Sequence, residues 1–143
     1  MKTEPKKLRV VCDTNVLLSM LGFPGGRLDA LWEIIQEHRI ELFASAFILE
    51  ELERNLRLKV KLQPQEINRV IAILKNHMQE VIPKQKVHSI KEKESDNRIL
   101  ECALEAKSDV LVTGNFKHIR PLGQFHGITI LTPREFLDKY FLV

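Results

Sequence analysis

Residues 8–15 read LRVVCDTN, an apolar run that ends abruptly in an acid, a hydroxyl and an amide. Leu8 to Cys12 has the character of a strand covered on both faces, where β-branched residues run on without polar alternation. An ionised carboxylate at the edge of such a strand is expensive unless something pairs with it. The same pattern returns a hundred residues later, where Asp109 to Thr113 leads into Gly114 and Asn115, so D-T-N and T-G-N close two similar runs. Ile40 to Ala44 and Ile128 to Leu131 are two more short apolar runs, and a weaker one lies near Val81 and Ile82.

Helical patterns fill the intervals. Leu28, Leu31, Trp32 and Ile35 form one stripe, and Ile67, Val70, Ile71, Leu74 and Met78 a second, with Pro64 suited to its first turn. Ile48, Leu52 and Leu56 follow Ser45, and Ile99, Leu100, Ala103 and Leu104 follow Ser95, each serine an expected N-cap. Thr132-Pro133-Arg134-Glu135 reads as a capping box with Pro at the first helical position. Strands alternating with helices imply a three-layer α/β/α sandwich around a parallel sheet of four to five strands.

With 143 residues, no repeat and only short punctuation at 22–26 and 91–95, one domain over 1–143 is expected. A chain of this length buries roughly two-thirds of its unfolded surface without disulfides. No stretch approaches the roughly 18 apolar residues of a membrane span, and the basic start lacks the apolar centre of a secretory signal, so the expected location is the cytoplasm. Cys12 and Cys102 sit in apolar segments without zinc-like spacing and read as free, buried thiols. The net charge of +3 is mild but uneven: RNLRLKVK at 54–61 holds four cations and no acid, with Arg54, Arg57 and Lys61 spaced for one helical face.

In parallel α/β sheets, sites gather at the carboxyl ends of strands. Those ends carry Asp13, Thr14 and Asn15, and Thr113, Gly114 and Asn115. Two helices add acids: Glu50 and Glu51, of which Glu51 precedes Leu52 and is expected beside the apolar stripe, and Asp96 in the first turn of its helix. Singly, Asp13 is explained as a cap, Asp96 as a complement to the helix dipole and either Glu as a solvated side chain. Brought together, they repel unless one takes a proton or a cation sits among them. An all-oxygen set without His or Cys suits Mg2+ or Mn2+, which activates water and stabilises charge on a phosphodiester. Arg54, Arg57, Lys117 and Arg120 are candidates to hold the flanking backbone, and His118 to contact phosphate.

These residues resemble the PIN-domain ribonucleases, in particular the VapC-like toxins of toxin–antitoxin pairs. The resemblance rests on VVCDTNVLLS, SAFILEELERNL, ESDNRILECALEAKSDVLVTGN and ILTPREFL, which together span nearly the whole chain. It implies a metal-dependent endoribonuclease with Asp13, Glu51 and Asp96 in the acidic cluster and Asn15 and Thr113 as polar neighbours. It also implies an RNA substrate, an antitoxin partner and a homodimer. Many PIN domains place a further Asp after the T-G step, where this chain has Asn115; an Asn oxygen can accept a hydrogen bond or ligate a metal but brings no charge. A catalytically weak RNA- or partner-binding module is therefore the competing expectation. Aspartyl phosphoryl transfer fits less well, because Asn15 occupies the position where that chemistry commonly wants a second acid.

Overall fold

The computed structural model describes residues 6–23, 28–88, 90 and 93–141. The expected loops at 24–26 and 91–92 lie outside the described residues. In chain order the elements are β1 (Leu8–Cys12), α1 (Thr14–Met20), α2 (Asp29–Gln36), β2 (Ile40–Ser45), α3 (Ala46–Leu58), α4 (Pro64–Lys75) and β3 (Gln79–Val81). They continue with α5 (Glu94–Glu105), β4 (Val110–Val112), β5 (Gln124–Phe125), β6 (Ile128–Leu131) and α6 (Pro133–Tyr140). The strands form one sheet in the order β3-β2-β1-β4-β6-β5, flanked by helices as an α/β sandwich.

Five strands are parallel, and at the centre of the sheet, as their apolar runs lead one to expect, Val10, Val11, Cys12, Val110, Leu111 and Val112 are all fully buried; β3 at the edge, Gln-Glu-Val, is largely exposed. The sixth, β5, was not anticipated and makes the sheet mixed: two residues pair antiparallel to β6. The signal for it was local. His126 and Gly127 both take positive φ, 50° and 82°, the backbone that a two-residue hairpin loop demands.

Chain direction along the sheet decides where a cleft can form. From β1 the chain steps to β2 and β3 on one side, then crosses back to β4 on the other side of β1. The gap between β1 and β4 is thus the topological switch point, where the loops leaving neighbouring strands part company. Register is level there: Cys12 pairs with Val112, and the Asp13 N–H donates to the Val112 carbonyl at 3.0 Å. D-T-N and T-G-N are therefore side by side.

The helices depart from expectation in four places. α1 follows β1 with no loop, because Asp13 itself is the N-cap and turns the chain directly into Val16, Leu17 and Met20, which are buried. α4 stops at Lys75, so Met78 leads into β3 instead of extending the stripe, and Ile82 beyond β3 is 79% exposed. α5 begins at Glu94, with Lys93 and not Ser95 at its N-cap. Here the Asn97 side chain holds both backbone groups of Ile90, at 3.0 and 2.7 Å, and anchors the chain entering the helix from within its first turn. Finally, α3 ends at Leu58 and Lys61 takes φ +64°, so the helical spacing of Arg54, Arg57 and Lys61 is broken.

Ser45 caps α3 through the Ile48 N–H, and Thr132 and Glu135 close the expected capping box on α6. Cys12 and Cys102 are free and buried. Among the described residues no helix is long and apolar enough to cross a membrane.

Glu135 has a second task. The Arg120 guanidinium donates to both of its oxygens at 2.8 Å, a fork-to-fork pair that ties the turn after β4 to α6. That pair holds the Glu135 carboxyl down at about 2, against an ordinary value of 4.5. A lowered carboxyl pKa adds stability that is complete above the unfolded value and lost as pH falls through the folded one. Glu135→Gln keeps the cap acceptor but removes the charge. Its melting temperature should fall below wild type at pH 6, with the gap closing between about pH 4.5 and 2; a pH-independent gap in thermal melts would contradict this account of the pair.

Candidate functional site

Asp13 sits at the switch point with 4% of its surface exposed. Oδ1 accepts the Val16 N–H at 2.9 Å as helix cap, while Oδ2 accepts the Gly114 N–H at 3.1 Å and the Thr113 hydroxyl proton. Burial pushes the Asp13 carboxyl above its ordinary range; these three donors pull it back, and nearby Glu51 adds to the rise. The capping explanation of Asp13 is thus correct as far as it goes. It accounts for one oxygen, and the loop leaving β4 supplies the donors for the other.

The neighbouring polar residues are linked in sequence. Thr113, itself fully buried, passes its hydrogen bond on by accepting the Asn115 N–H at 2.9 Å. The Asn115 Oδ1 accepts from the Lys117 and His118 N–H groups at 3.1 and 2.9 Å, and its amide nitrogen Nδ2, facing the other way, donates to Asp96 Oδ1 at 3.1 Å. Of the two uses open to an Asn oxygen here, accepting a hydrogen bond or ligating a metal, the structure shows the first: Oδ1 is engaged by two backbone donors. On the far wall, the buried Thr14 hydroxyl donates to Glu51 Oε1.

A cavity of about 210 Å3 opens among these groups, and Asp13, Asn15, Glu51, Arg54, Asp96 and Asn115 all line it. Glu51 faces the cavity, whereas Glu50 is exposed and does not line it. Asp96 is 8% exposed and reaches the same space from the first turn of α5. Thr113 lies behind Asp13 and supports it from the core.

The expected phosphate contacts separate into two groups. Arg54 lines the cavity, but Arg57, Lys117, His118 and Arg120 do not. Arg57 is exposed on α3 outside the cavity, and Arg120 is committed to Glu135. The cation that joins Arg54 is Lys59, which sequence reading did not single out, nor did it single out Asn55; Thr14 and Ser95, read as a strand-end residue and an N-cap, line the cavity too. The signal for Asn55 and Lys59 was present in the spacing, since Glu51, Asn55 and Lys59 recur every four residues along one side of α3 and onto its C-cap.

Asp13, Glu51 and Asp96 are the side chains able to hold a cation. Their donors are all oxygen, which suits a hard divalent ion and not zinc. Among the described residues, no group of three or more His, Cys, Asp or Glu side chains is gathered closely enough to hold a metal ion between them. Such a group is not required by Mg2+, which commonly takes one or two carboxylates and keeps several waters.

The PIN domain sequence profile matches residues 9–117. An uncharacterized protein of Methanocaldococcus jannaschii is 27% identical in an alignment covering 97% of this chain and 96% of that protein. Among solved structures, a chain of VapBC-1 from nontypeable Haemophilus influenzae superposes with TM-score 0.60 at 16% identity, covering 89% of this chain and 99% of that one. A chain of VapBC2 from Rickettsia felis, solved bound to a DNA fragment from its promoter, superposes with TM-score 0.58 at 14% identity, covering 86% and 97%. At such identities the likeness is one of fold.

Because the Thr113 hydroxyl both donates to Asp13 and accepts from Asn115, Thr113→Val leaves the buried Asp13 and the half-buried Asn115 each short of a partner. The expected loss in urea unfolding is about 1–3 kcal/mol, with the Asp13 carboxyl, followed by carbon NMR, moving further upward. A loss below about 0.5 kcal/mol would mean that this network does not hold the site.

Proposed function

The chain belongs to the PIN-domain family, and from that premise we propose that it is a divalent-metal-dependent endoribonuclease that hydrolyses RNA phosphodiester bonds. One observation carries the reading. Three carboxylates from three elements, Asp13 at the end of β1, Glu51 in α3 and Asp96 in α5, line a single cavity at the switch point, with Arg54 and Lys59 beside them. Acids in such company repel one another and a phosphodiester alike, so a cation among them answers both difficulties.

Asp13, Glu51 and Asp96 would hold Mg2+ or Mn2+. Bound there, the ion would supply positive charge against the phosphate oxygens and make water more acidic. The chain's own residues then do the positioning. Arg54 and Lys59 draw the negatively charged backbone toward an otherwise acidic cavity. Asp96, held at one oxygen by the Asn115 amide, keeps a second oxygen to orient the attacking water and accept its proton. Thr113 and the Gly114 N–H hold Asp13 in place, Thr14 holds Glu51, and Asn15 at the exposed rim offers a neutral polar contact.

On this reading, cleavage of single-stranded RNA disappears with EDTA and falls by at least about a hundredfold in Asp13→Asn and Asp96→Asn, the scale of removing one essential catalytic group. If both variants, shown to be folded by circular dichroism, cut as fast as wild type, the assignment of the site is wrong.

A second reading is a catalytically weak module that binds RNA or a partner without cutting. Two observations favour it: among the described residues no three acids are gathered closely enough to hold a metal ion between them, and Asn115 adds neither charge nor a free oxygen. Absence of any Mn2+-induced shift in melting temperature at millimolar ion, with RNA binding intact, would select this reading over the first.

The fold likeness to chains of VapBC assemblies supports a role as the toxin of a toxin–antitoxin pair, working as a homodimer and restrained by a small antitoxin protein. Co-expression with the product of an adjoining small reading frame should then yield a stable complex on size exclusion, and the chain alone should elute at twice its 16.6 kDa mass. A monomer that ignores its neighbour would remove this part of the proposal.

A further inference from the structure

Phe116 is 70% exposed, immediately after cleft-lining Asn115 and immediately before Lys117. A single exposed apolar side chain needs no explanation by itself. What sets this one apart is how it is held. The Asn115 carboxamide accepts the N–H groups of Lys117 and His118, and the Asn115 carbonyl accepts the Arg120 N–H at 2.9 Å, so the turn bearing the ring is braced from within. The ring is thus presented to water by a fixed backbone, and the residue that fixes it is the one that touches Asp96.

Beyond the ring is a second, largely apolar groove of about 610 Å3, bordered by Leu28, Pro133 and Arg134. Its charges do not cancel. Arg120 and Glu135 at its edge neutralise each other, whereas Arg134 at its edge, and Lys117 next to the ring in sequence, are exposed and make no ion pair among the described residues. An exposed aromatic face flanked by unpaired cations is complementary to single-stranded nucleic acid, whose bases offer π-faces and whose phosphates offer charge.

We propose that Phe116 is a stacking platform for a base of single-stranded RNA running out of the cleft, with Lys117 and Arg134 taking adjoining phosphates. This rests on RNA being the substrate, as proposed above. It also gives Asn115 a purpose in the place of an acid: it couples Asp96 to the turn that seats the neighbouring base, so that a strand gripped at Phe116 is in line with the carboxylates.

The test is fluorescence anisotropy in EDTA, so that binding is read without cleavage, using a labelled single-stranded RNA of roughly ten nucleotides and the same backbone made abasic. Phe116→Ala should weaken binding of the base-bearing strand by roughly 5- to 150-fold and leave the abasic strand unchanged, while Phe116→Trp binds at least as well as wild type. Equal affinity of Phe116→Ala and wild type for the base-bearing strand overturns the platform, as does an equal loss on both strands. If Phe116 governs binding as expected but no RNA is cut with Mn2+, the platform stands and the nuclease reading falls. If wild type cuts RNA while Phe116→Ala binds normally, the reverse holds. A wild-type protein that binds neither strand overturns the platform, and the nuclease reading is then decided by cleavage with Mn2+ alone.

Discussion

Asp13 is a carboxylate sealed almost wholly from water at the end of a central strand, and a buried charge without partners costs several kcal/mol. The chain meets this cost from three directions. The backbone of α1 supplies one donor, the start of the loop after β4 supplies a second, and the Thr113 hydroxyl supplies a third. Because these donors come from different elements, the acid is anchored only when β1 and β4 lie in the observed register. The buried charge therefore helps to specify the fold as well as to furnish the cleft.

From this anchor the other polar groups follow as a chain of hydrogen bonds. Thr113 reaches Asn115, Asn115 reaches both Asp96 and the turn that carries Phe116, and Thr14 reaches Glu51. Each link satisfies a buried or half-buried group that would otherwise be orphaned, and a fully satisfied network is what makes such a site rigid. The cost of the arrangement is repulsion among carboxylates, which Arg54 and Lys59 relieve only from the rim. Asn115 limits that repulsion: an acid in its place would set a fourth negative charge against Asp96.

Much of this was visible in residue order. β1 and β6 coincide with the apolar runs read for them, because mostly buried strands of a parallel sheet are rich in aliphatic and β-branched residues. The caps at Ser45 and Thr132 were equally legible, since a hydroxyl before a helical stripe has few other uses. Ser95 misled because its helix starts one residue earlier, anchored by an amide that clasps a segment seven residues away in sequence. β5 escaped notice because two residues are too few to show alternation, and α1 because its N-cap also belongs to the cleft. The cations were read least well. A charge run in sequence says nothing about which side chain is tied down, and the partner of Arg120 lies fifteen residues on.

By itself the sequence determined the class of the fold, the identity of the acids and the two strand ends from which polar residues project. Those are consequences of local pattern: hydrophobic period, capping chemistry and the cost of placing a charge beside buried strands. The tertiary structure decided which residues share the cleft, that Glu51 and not Glu50 enters it, that Lys59 and not Arg57 joins Arg54, and that the oxygen of Asn115 is spoken for. Such outcomes depend on strand register and helix rotation, where a shift of one residue turns a side chain to another face, and they are settled only when the elements pack together.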